Sequence, residues 1–131
     1  MEFKFFKPNT DPLMVGVQDH VMMMLDSAHE IHPEQVYIIT CGLRTPDQNC
    51  KLKGAVADSA HETGLAVDLA CQDDRSLFCM LEGLIHAGFT RIGIYLARDP
   101  SDATKFVPRH LHVDADPTKP PECTWHYVEQ N

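Results

Sequence analysis

The sequence lacks the features that mark several large classes of protein. It has no run of Lys or Arg, and its 19 acidic residues outnumber its 11 basic residues, giving a net charge of −8. Binding to nucleic acid depends on neutralising phosphates, so we expect no nucleic-acid partner. The sequence also has no apolar stretch of transmembrane length and no apolar core of a signal peptide. This predicts a chain without a membrane segment that is cytoplasmic as synthesised.

The cysteines do not form a recognisable framework. They are odd in number, and no two of them make a Cys-x-x-Cys pair. This pattern argues against a disulfide scaffold and against a zinc site built from thiolates. We interpret Cys41, Cys50, Cys71, Cys79 and Cys123 as reduced, mostly buried, small apolar residues.

What the sequence does contain is the composition of one globular domain covering residues 1–131. Apolar residues make up 44% and charged residues 23% of the chain. A domain of this length buries about two-thirds of the surface of its unfolded chain, so the core needs no cofactor to hold it together. Nothing in the composition requires more than a monomer.

Hydrophobic spacing predicts two helices and four strands. The helices run from a cap at residues 9–11 to Ile31, and from a cap at Asp73 or Asp74 to Gly88; the strands are 36–41, 65–70, 91–96 and 110–115. Residues 43–63 and 97–109 are predicted as polar loops, and residues 125–127 as the aromatic end of a Pro-rich tail. Because this order lacks regular βαβ alternation, we expect an α+β fold with a small, mostly antiparallel sheet and flanking helices.

The strand at residues 110–115 carries the first group of candidate functional residues. Alternation along the strand places His110, His112 and Asp114 on one face, and Leu111, Val113 and Ala115 on the other. Imidazole and carboxylate are suitable zinc ligands, and two His separated by one residue can reach the same ion or its bound water. The alternative is a solvated sheet face with two surface histidines.

His61 and Asp68 form the second group. Seven residues separate them, so they would face opposite ways on a regular strand, and the chain has to bend at Gly64 for both to reach one centre. Asp68 lies among apolar residues, where a carboxylate is unfavourable unless it is paired or bound to metal. A turn with a hydrogen-bonded Asp is the alternative. Taken with the His-x-His-x-Asp strand, the pattern favours a metal site.

Arg44 directly follows the first predicted strand, within the segment Gly42-Leu43-Arg44-Thr45-Pro46. Loops at strand ends often carry the residues that recognise substrates. A guanidinium there could hold a carboxylate through two parallel hydrogen bonds. An isolated Arg in a loop is otherwise usually solvated.

These three segments together resemble the zinc D-Ala-D-Ala carboxypeptidase and L-Ala-D-Glu endopeptidase family, whose domain is shared with the signalling domain of hedgehog proteins. The most specific match is to the pattern Ser-x-His-x-x-Gly-x-Ala-x-Asp, which is met by Ser59, His61, Gly64, Ala66 and Asp68. The segment from Gly42 to Pro46, followed by Asn49, is similar to the loop after the first strand of the family. The sequence His112-Val113-Asp114, preceded by the strand that contains Gly93-Ile94-Tyr95, is similar to its closing zinc motif.

The resemblance implies a hedgehog/DD-peptidase-like fold with a Zn2+ site on the sheet face. His61, Asp68 and His112 would bind the zinc and leave a fourth position for the attacking water. Arg44 would bind the substrate and stabilise the oxyanion. Ser59 would belong to the substrate-binding residues and would also support the zinc ligands. The substrate would be a peptidoglycan stem peptide, cut at D-Ala-D-Ala, L-Ala-D-Glu or a diaminopimelate bond by a carboxypeptidase or endopeptidase. Phage endolysins of this type can lack a signal peptide, because a holin releases them to the cell wall.

One position departs from the family. Several branches carry Asp or Glu three residues before the last zinc-binding His, as the general base, whereas this chain has Arg109 there. Other branches have His-x-His, so we expect His110 to act as the base or transition-state stabiliser, with Asp114 as a supporting residue. Zinc lowers the pKa of its bound water to about 7, so a His of ordinary basicity could accept the proton.

A binding domain that keeps the zinc without catalysis is the main alternative. If His61, Asp68, His110 and His112 all bound one zinc, the site would be closed and structural. Such a domain would interact with peptidoglycan or with a protein. Arg44 favours the hydrolase, because a structural zinc needs no carboxylate receptor beside it. Arg109 argues against the hydrolase, because it stands where an acidic general base would be expected. We expect the match of His110-x-His112-x-Asp114 to the metallo-β-lactamase motif to be accidental, because those folds need many further residues and ligands downstream of it.

Overall fold

The computed structural model describes residues 15–42 and 60–129, and within these ranges the chain folds as α+β. The helices are α1 (Asp19–Ile31) and α2 (Asp74–His86), and a 3-10 helix spans Ala60–Thr63; the strands are β1 (Ile39–Cys41), β2 (Ala66–Ala70), β3 (Arg91–Asp99), β4 (Asp102–Asp114) and β5 (Cys123–Val128). The five described strands form one sheet in the order β1-β2-β4-β3-β5. The sheet is mixed, because β5 pairs with β3 in parallel while the other three pairs are antiparallel. No helix among these residues has the length and apolar character needed to cross a membrane.

The core lies between the two helices and one face of the sheet. Leu111 and Val113 of β4 are fully buried in it, and Ala115 packs against it. The opposite face of β4 carries His110, His112 and Asp114, as strand alternation predicts. Gly83 allows α2 to approach α1 closely, since a Cβ there would lie 2.5 Å from the carbonyl oxygen of Ala28. One face of the sheet therefore packs in the core, and the opposite face carries the polar candidate residues.

Helix α1 begins later than the sequence predicts. The cap candidates at residues 9–11 lie outside the described residues, but residues 15–18 are not helical and Gln18 is the N-cap, so the predicted start is wrong. Gly16 adopts a positive φ of 87°, a conformation that a right-handed helix does not contain. The Gln18 backbone N–H donates to the carbonyl oxygen of Gly64 across 2.8 Å, a tertiary bond that fixes the turn beside the 3-10 helix. Helix α2 has the predicted cap, since the Asp73 side chain accepts a hydrogen bond from the Ser76 backbone N–H.

The structure contains strands in two segments where the sequence predicts none. Residues 97–109, predicted as a polar loop, continue β3 and β4 into a long hairpin that turns at Pro100 and Ser101. Asp99 stabilises this turn by accepting hydrogen bonds from the backbone N–H and the hydroxyl of Ser101. The aromatic tail at residues 125–127 lies in β5. The first predicted strand is shorter than expected and spans Ile39–Cys41.

Candidate metal centre

His61 reaches the sheet because the chain turns sharply after the 3-10 helix. Gly64 ends that helix with a φ of +73°, and a Cβ at this position would lie 2.2 Å from the carbonyl oxygen of Gly16. The Leu65 N–H then donates to the carbonyl oxygen of Ala60 across 3.0 Å, which closes the turn. The result is the bend that the spacing of His61 and Asp68 requires, with His61 buried beneath it.

Three predicted side chains converge across β2 and β4. Asp68 and His112 are register partners on these strands, and His61 approaches them from the 3-10 helix. Asp68 Oδ1 lies 3.1 Å from His61 Nε2 and 3.1 Å from His112 Nδ1. The two imidazole rings meet edge to face, with centroids 5.1 Å apart. Sequence reasoning grouped these three residues, and the structure brings them together.

Two separations among these atoms match the ligand shell of a small divalent ion. In a tetrahedral zinc site with bonds of about 2.0 Å, neighbouring ligand atoms are about 3.3 Å apart. The two separations of 3.1 Å at Asp68 Oδ1 are close to that value. The donor types, two imidazole nitrogens and one carboxylate oxygen, are also those that zinc accepts. The donor types and the two separations at Asp68 Oδ1 therefore fit zinc, but the group of described residues whose donor atoms all lie within 4.8 Å of one another is Cys41, His61 and Asp68, without His112.

Hydrogen bonds on the far side of each ring orient the converging nitrogens. His61 Nδ1 lies 2.8 Å from the carbonyl oxygen of Gly42, which can only accept, so this nitrogen carries the proton. His112 Nε2 likewise donates to Asp114 Oδ2 across 2.8 Å. Backbone carbonyls and carboxylates commonly hold metal-binding histidines in this way, because they fix the tautomer and the ring orientation. These bonds turn His61 Nε2 and His112 Nδ1 toward Asp68 Oδ1.

The electrostatics of the cluster favour positive charge around Asp68. Burial lowers the pKa of His61, but hydrogen bonds to Asp68 and Cys41 outweigh it and raise the pKa to about 9. Burial also opposes the charged form of His112, yet its bonds to Asp114 and Asp68 raise its pKa. The pKa of Asp68 is lowered despite burial, since His112 and His61 both donate to it. A metal cation would replace the ring protons that the carboxylate otherwise attracts.

Cys41 is a fourth side chain at the centre, and sequence reasoning missed it. One ligand atom from each of Cys41, His61 and Asp68 lies within 4.8 Å of the others, so this group could hold a metal ion. The Cys41 sulfur is 3.8 Å from His61 Nδ1. The sequence interpretation treated this cysteine as a small apolar residue. Its place immediately before Gly42-Leu43-Arg44 is the one feature of the sequence that could have associated it with the site.

His110 and Asp114 lie beside the cluster in different ways. His110 shares the face of β4 with His112, where its Nδ1 contacts Glu129 Oε1 at 3.2 Å and its ring stacks on Tyr95 at 4.4 Å. Asp114 lies behind His112 and is only 1% exposed. Its described contacts include His112, Arg91 and the backbone of Asp116, so it reaches the centre through the His112 ring.

Two predicted substrate-binding residues, Arg44 and Ser59, lie outside the described residues. The structure therefore bears on the predicted metal ligands and on His110 and Asp114. Comparison of the chain with models of known protein families, with curated proteins and with solved structures finds no match.

Proposed function

We propose that this protein is a zinc-dependent peptidoglycan peptidase with a hedgehog/DD-peptidase-like fold, which cuts a peptide bond of the stem peptide. The observation that carries the proposal is the position of Asp68 Oδ1, 3.1 Å from a nitrogen of His61 and 3.1 Å from a nitrogen of His112. The same three residues occupy the ligand positions of the two motifs in the sequence that resemble the zinc peptidase family.

His61, Asp68 and His112 would hold the zinc. With three protein ligands, such an ion supplies a water activated for attack and polarises the scissile carbonyl. Gly42 holds the His61 ring through its carbonyl oxygen, and Asp114 holds the His112 ring. These supports keep both nitrogens aimed at Asp68, which preorganises the centre before any ligand arrives.

His110 is the residue we assign to proton transfer. It lies on the same strand face as His112, and Glu129 contacts its Nδ1 at 3.2 Å. A carboxylate in this position favours the tautomer in which Nδ1 is protonated, so that Nε2 is free to accept a proton. His110, paired with Glu129, would take the role of the carboxylate base that several branches of the family carry at the position of Arg109. Arg44 would bind a carboxylate of the stem peptide, and Ser59 would support the site.

A non-catalytic metal-binding domain is the second candidate function. The observation that favours it is Cys41, which adds a donor to the cluster. Four protein ligands fill a tetrahedral zinc site, and closed sites of this kind are structural. The two functions differ in whether the metal-loaded protein releases peptides from the cell wall.

The decisive experiment is digestion of purified peptidoglycan by the zinc-loaded protein, with and without a chelator, followed by mass spectrometry of the released fragments. We expect release that the chelator abolishes and that readdition of zinc restores. His61→Ala should eliminate release, while His86→Ala, an exposed histidine at the end of α2, should not. Release that persists in the chelator would contradict the proposal. Failure to release fragments from several wall chemistries, with zinc bound, would favour the non-catalytic domain.

A further inference from the structure

Cys41 occupies a position in the sheet that directs it toward the cluster. It is the last residue of β1, and its register partner on β2 is Asp68. The ladder is irregular at this point, since the pairing shifts between Ile39 and Cys41. Its sulfur lies 3.8 Å from His61 Nδ1, and the residue is partly buried. The thiol therefore lies beside His61, on the side of the ring that faces the Gly42 carbonyl oxygen, and within 4.8 Å of a donor atom of Asp68.

We propose that Cys41 is a fourth ligand of the metal centre and closes its coordination sphere when no substrate is bound. One donor atom from Cys41, His61 and Asp68 already lies within 4.8 Å of the other two. Thiolate is a favoured ligand of zinc, and four donors complete a tetrahedron. The sulfur–metal bond forms as the thiol proton leaves to solvent. The inference rests on the metal centre of the proposed function but does not depend on hydrolysis.

A closing thiolate has a consequence for turnover. With His112 and Cys41 both bound, the metal has no open position, so the closed state and the catalytic state exclude each other. Cys41→Ser should therefore weaken zinc binding by tenfold or more.

Cobalt(II) provides a readout that is independent of activity. Cobalt binds zinc sites, and a bound thiolate gives an intense charge-transfer absorption in the near ultraviolet, distinct from the weaker visible bands of any tetrahedral cobalt. We expect the charge-transfer band in the wild-type protein and in Cys123→Ser, a partly buried cysteine of β5. In Cys41→Ser the charge-transfer band should disappear while the visible bands remain.

Alkylation of the unsubstituted protein tests the same ligand without a variant. If Cys41 binds the metal, cobalt should slow its reaction with iodoacetamide at least fivefold, as mapped by mass spectrometry of peptides. The labelling of Cys123 should not change. This measurement keeps the inference testable if Cys41→Ser fails to fold.

The outcomes separate the inference from the proposed function. Visible cobalt bands that depend on His61 and His112, without a charge-transfer band or protection of Cys41, would overturn the inference and leave the hydrolase in place. A charge-transfer band that depends on Cys41, with no release of wall peptides by the zinc-loaded unsubstituted protein, would support the ligand and overturn the hydrolase. Absence of cobalt binding would overturn both.

Discussion

Arg91 donates a hydrogen bond from Nε to Oδ1 of Asp114 across 2.9 Å, and this pair lies directly behind the His112 ring. The Asp114 side chain is almost fully buried and that of Arg91 largely so. The guanidinium also lies over the Trp125 ring at 5.1 Å from its centroid. Arg91 therefore neutralises a buried carboxylate and connects β3, β4 and β5 beneath the proposed metal centre.

Removal of the Arg91 charge should destabilise the fold strongly. Arg91→Met retains much of the side-chain volume but leaves Asp114 as a buried charge without its guanidinium partner. Breaking a buried ion pair in this way costs about 3–5 kcal/mol of unfolding free energy. Urea denaturation followed by circular dichroism measures the loss. Arg98→Met, which removes an exposed guanidinium near Phe106, is the control and should cost under about 1 kcal/mol. Equal losses in the two variants would contradict the assigned role of Arg91.

Asp114 should tune metal affinity through His112 without binding the metal itself. Asp114→Asn keeps the shape of the side chain but replaces a charged acceptor of the His112 Nε2 proton with a neutral amide. Loss of such an outer partner typically lowers metal affinity about 10- to 100-fold. Competition for zinc against a chromophoric chelator measures this change, with Asp102→Asn on the hairpin as a control at wild-type affinity. Complete loss of binding by folded Asp114→Asn would instead indicate that Asp114 is a direct ligand.

The cluster of His61, Asp68 and His112 was largely predictable because its residues are specified by local sequence. The His-x-x-Gly turn and the alternation of β4 fix which way His61 and His112 face. Asp68 is conspicuous as a carboxylate among apolar neighbours. Cys41 was not predictable in the same way, because its proximity to Asp68 comes from the pairing of β1 with β2, which single-sequence patterns do not encode.

The missed strands also have a physical explanation. Beyond Ala97 the β3–β4 hairpin leaves the core, so residues 103–106 are exposed on both faces. Without a buried face there is no apolar alternation, and the segment has the composition of a loop. Strand β5 follows Pro120 and Pro121 and pairs in parallel with β3, a partner distant in sequence. Pairing with a neighbouring strand therefore determines the outer hairpin and β5, and the strand preference of the local sequence does not.

Gly64 should be irreplaceable for both stability and metal binding. In Gly64→Ala the new Cβ would meet the Gly16 carbonyl oxygen at 2.2 Å, in addition to the cost of a positive φ. We expect a loss of about 3 kcal/mol in the free energy of unfolding. Because Gly64 sets the bend between His61 and Asp68, zinc affinity should fall as well.

Gly88 provides the matched control for this substitution. It has a similar left-handed conformation at φ +101°, but the nearest atom to a new Cβ is the flexible end of Met24 at 3.8 Å. Gly88→Ala should therefore cost about 1 kcal/mol from backbone strain alone and leave zinc affinity unchanged. If Gly64→Ala were no more destabilising than Gly88→Ala, the close contact with Gly16 would not constrain the fold.

Trp125, the single tryptophan of the chain, should report directly on the metal centre. Its ring centroid is 5.7 Å from that of His112, so cobalt bound at His112 should quench its fluorescence. Gly93 provides the space for this ring, since a Cβ at that position would lie 2.6 Å from indole atoms. Gly93→Ala should displace the indole, shift its emission to longer wavelength and weaken the quenching by cobalt. Quenching that is unchanged in folded His112→Ala would show that cobalt binds elsewhere, because the probe and the proposed ligand would then be uncoupled.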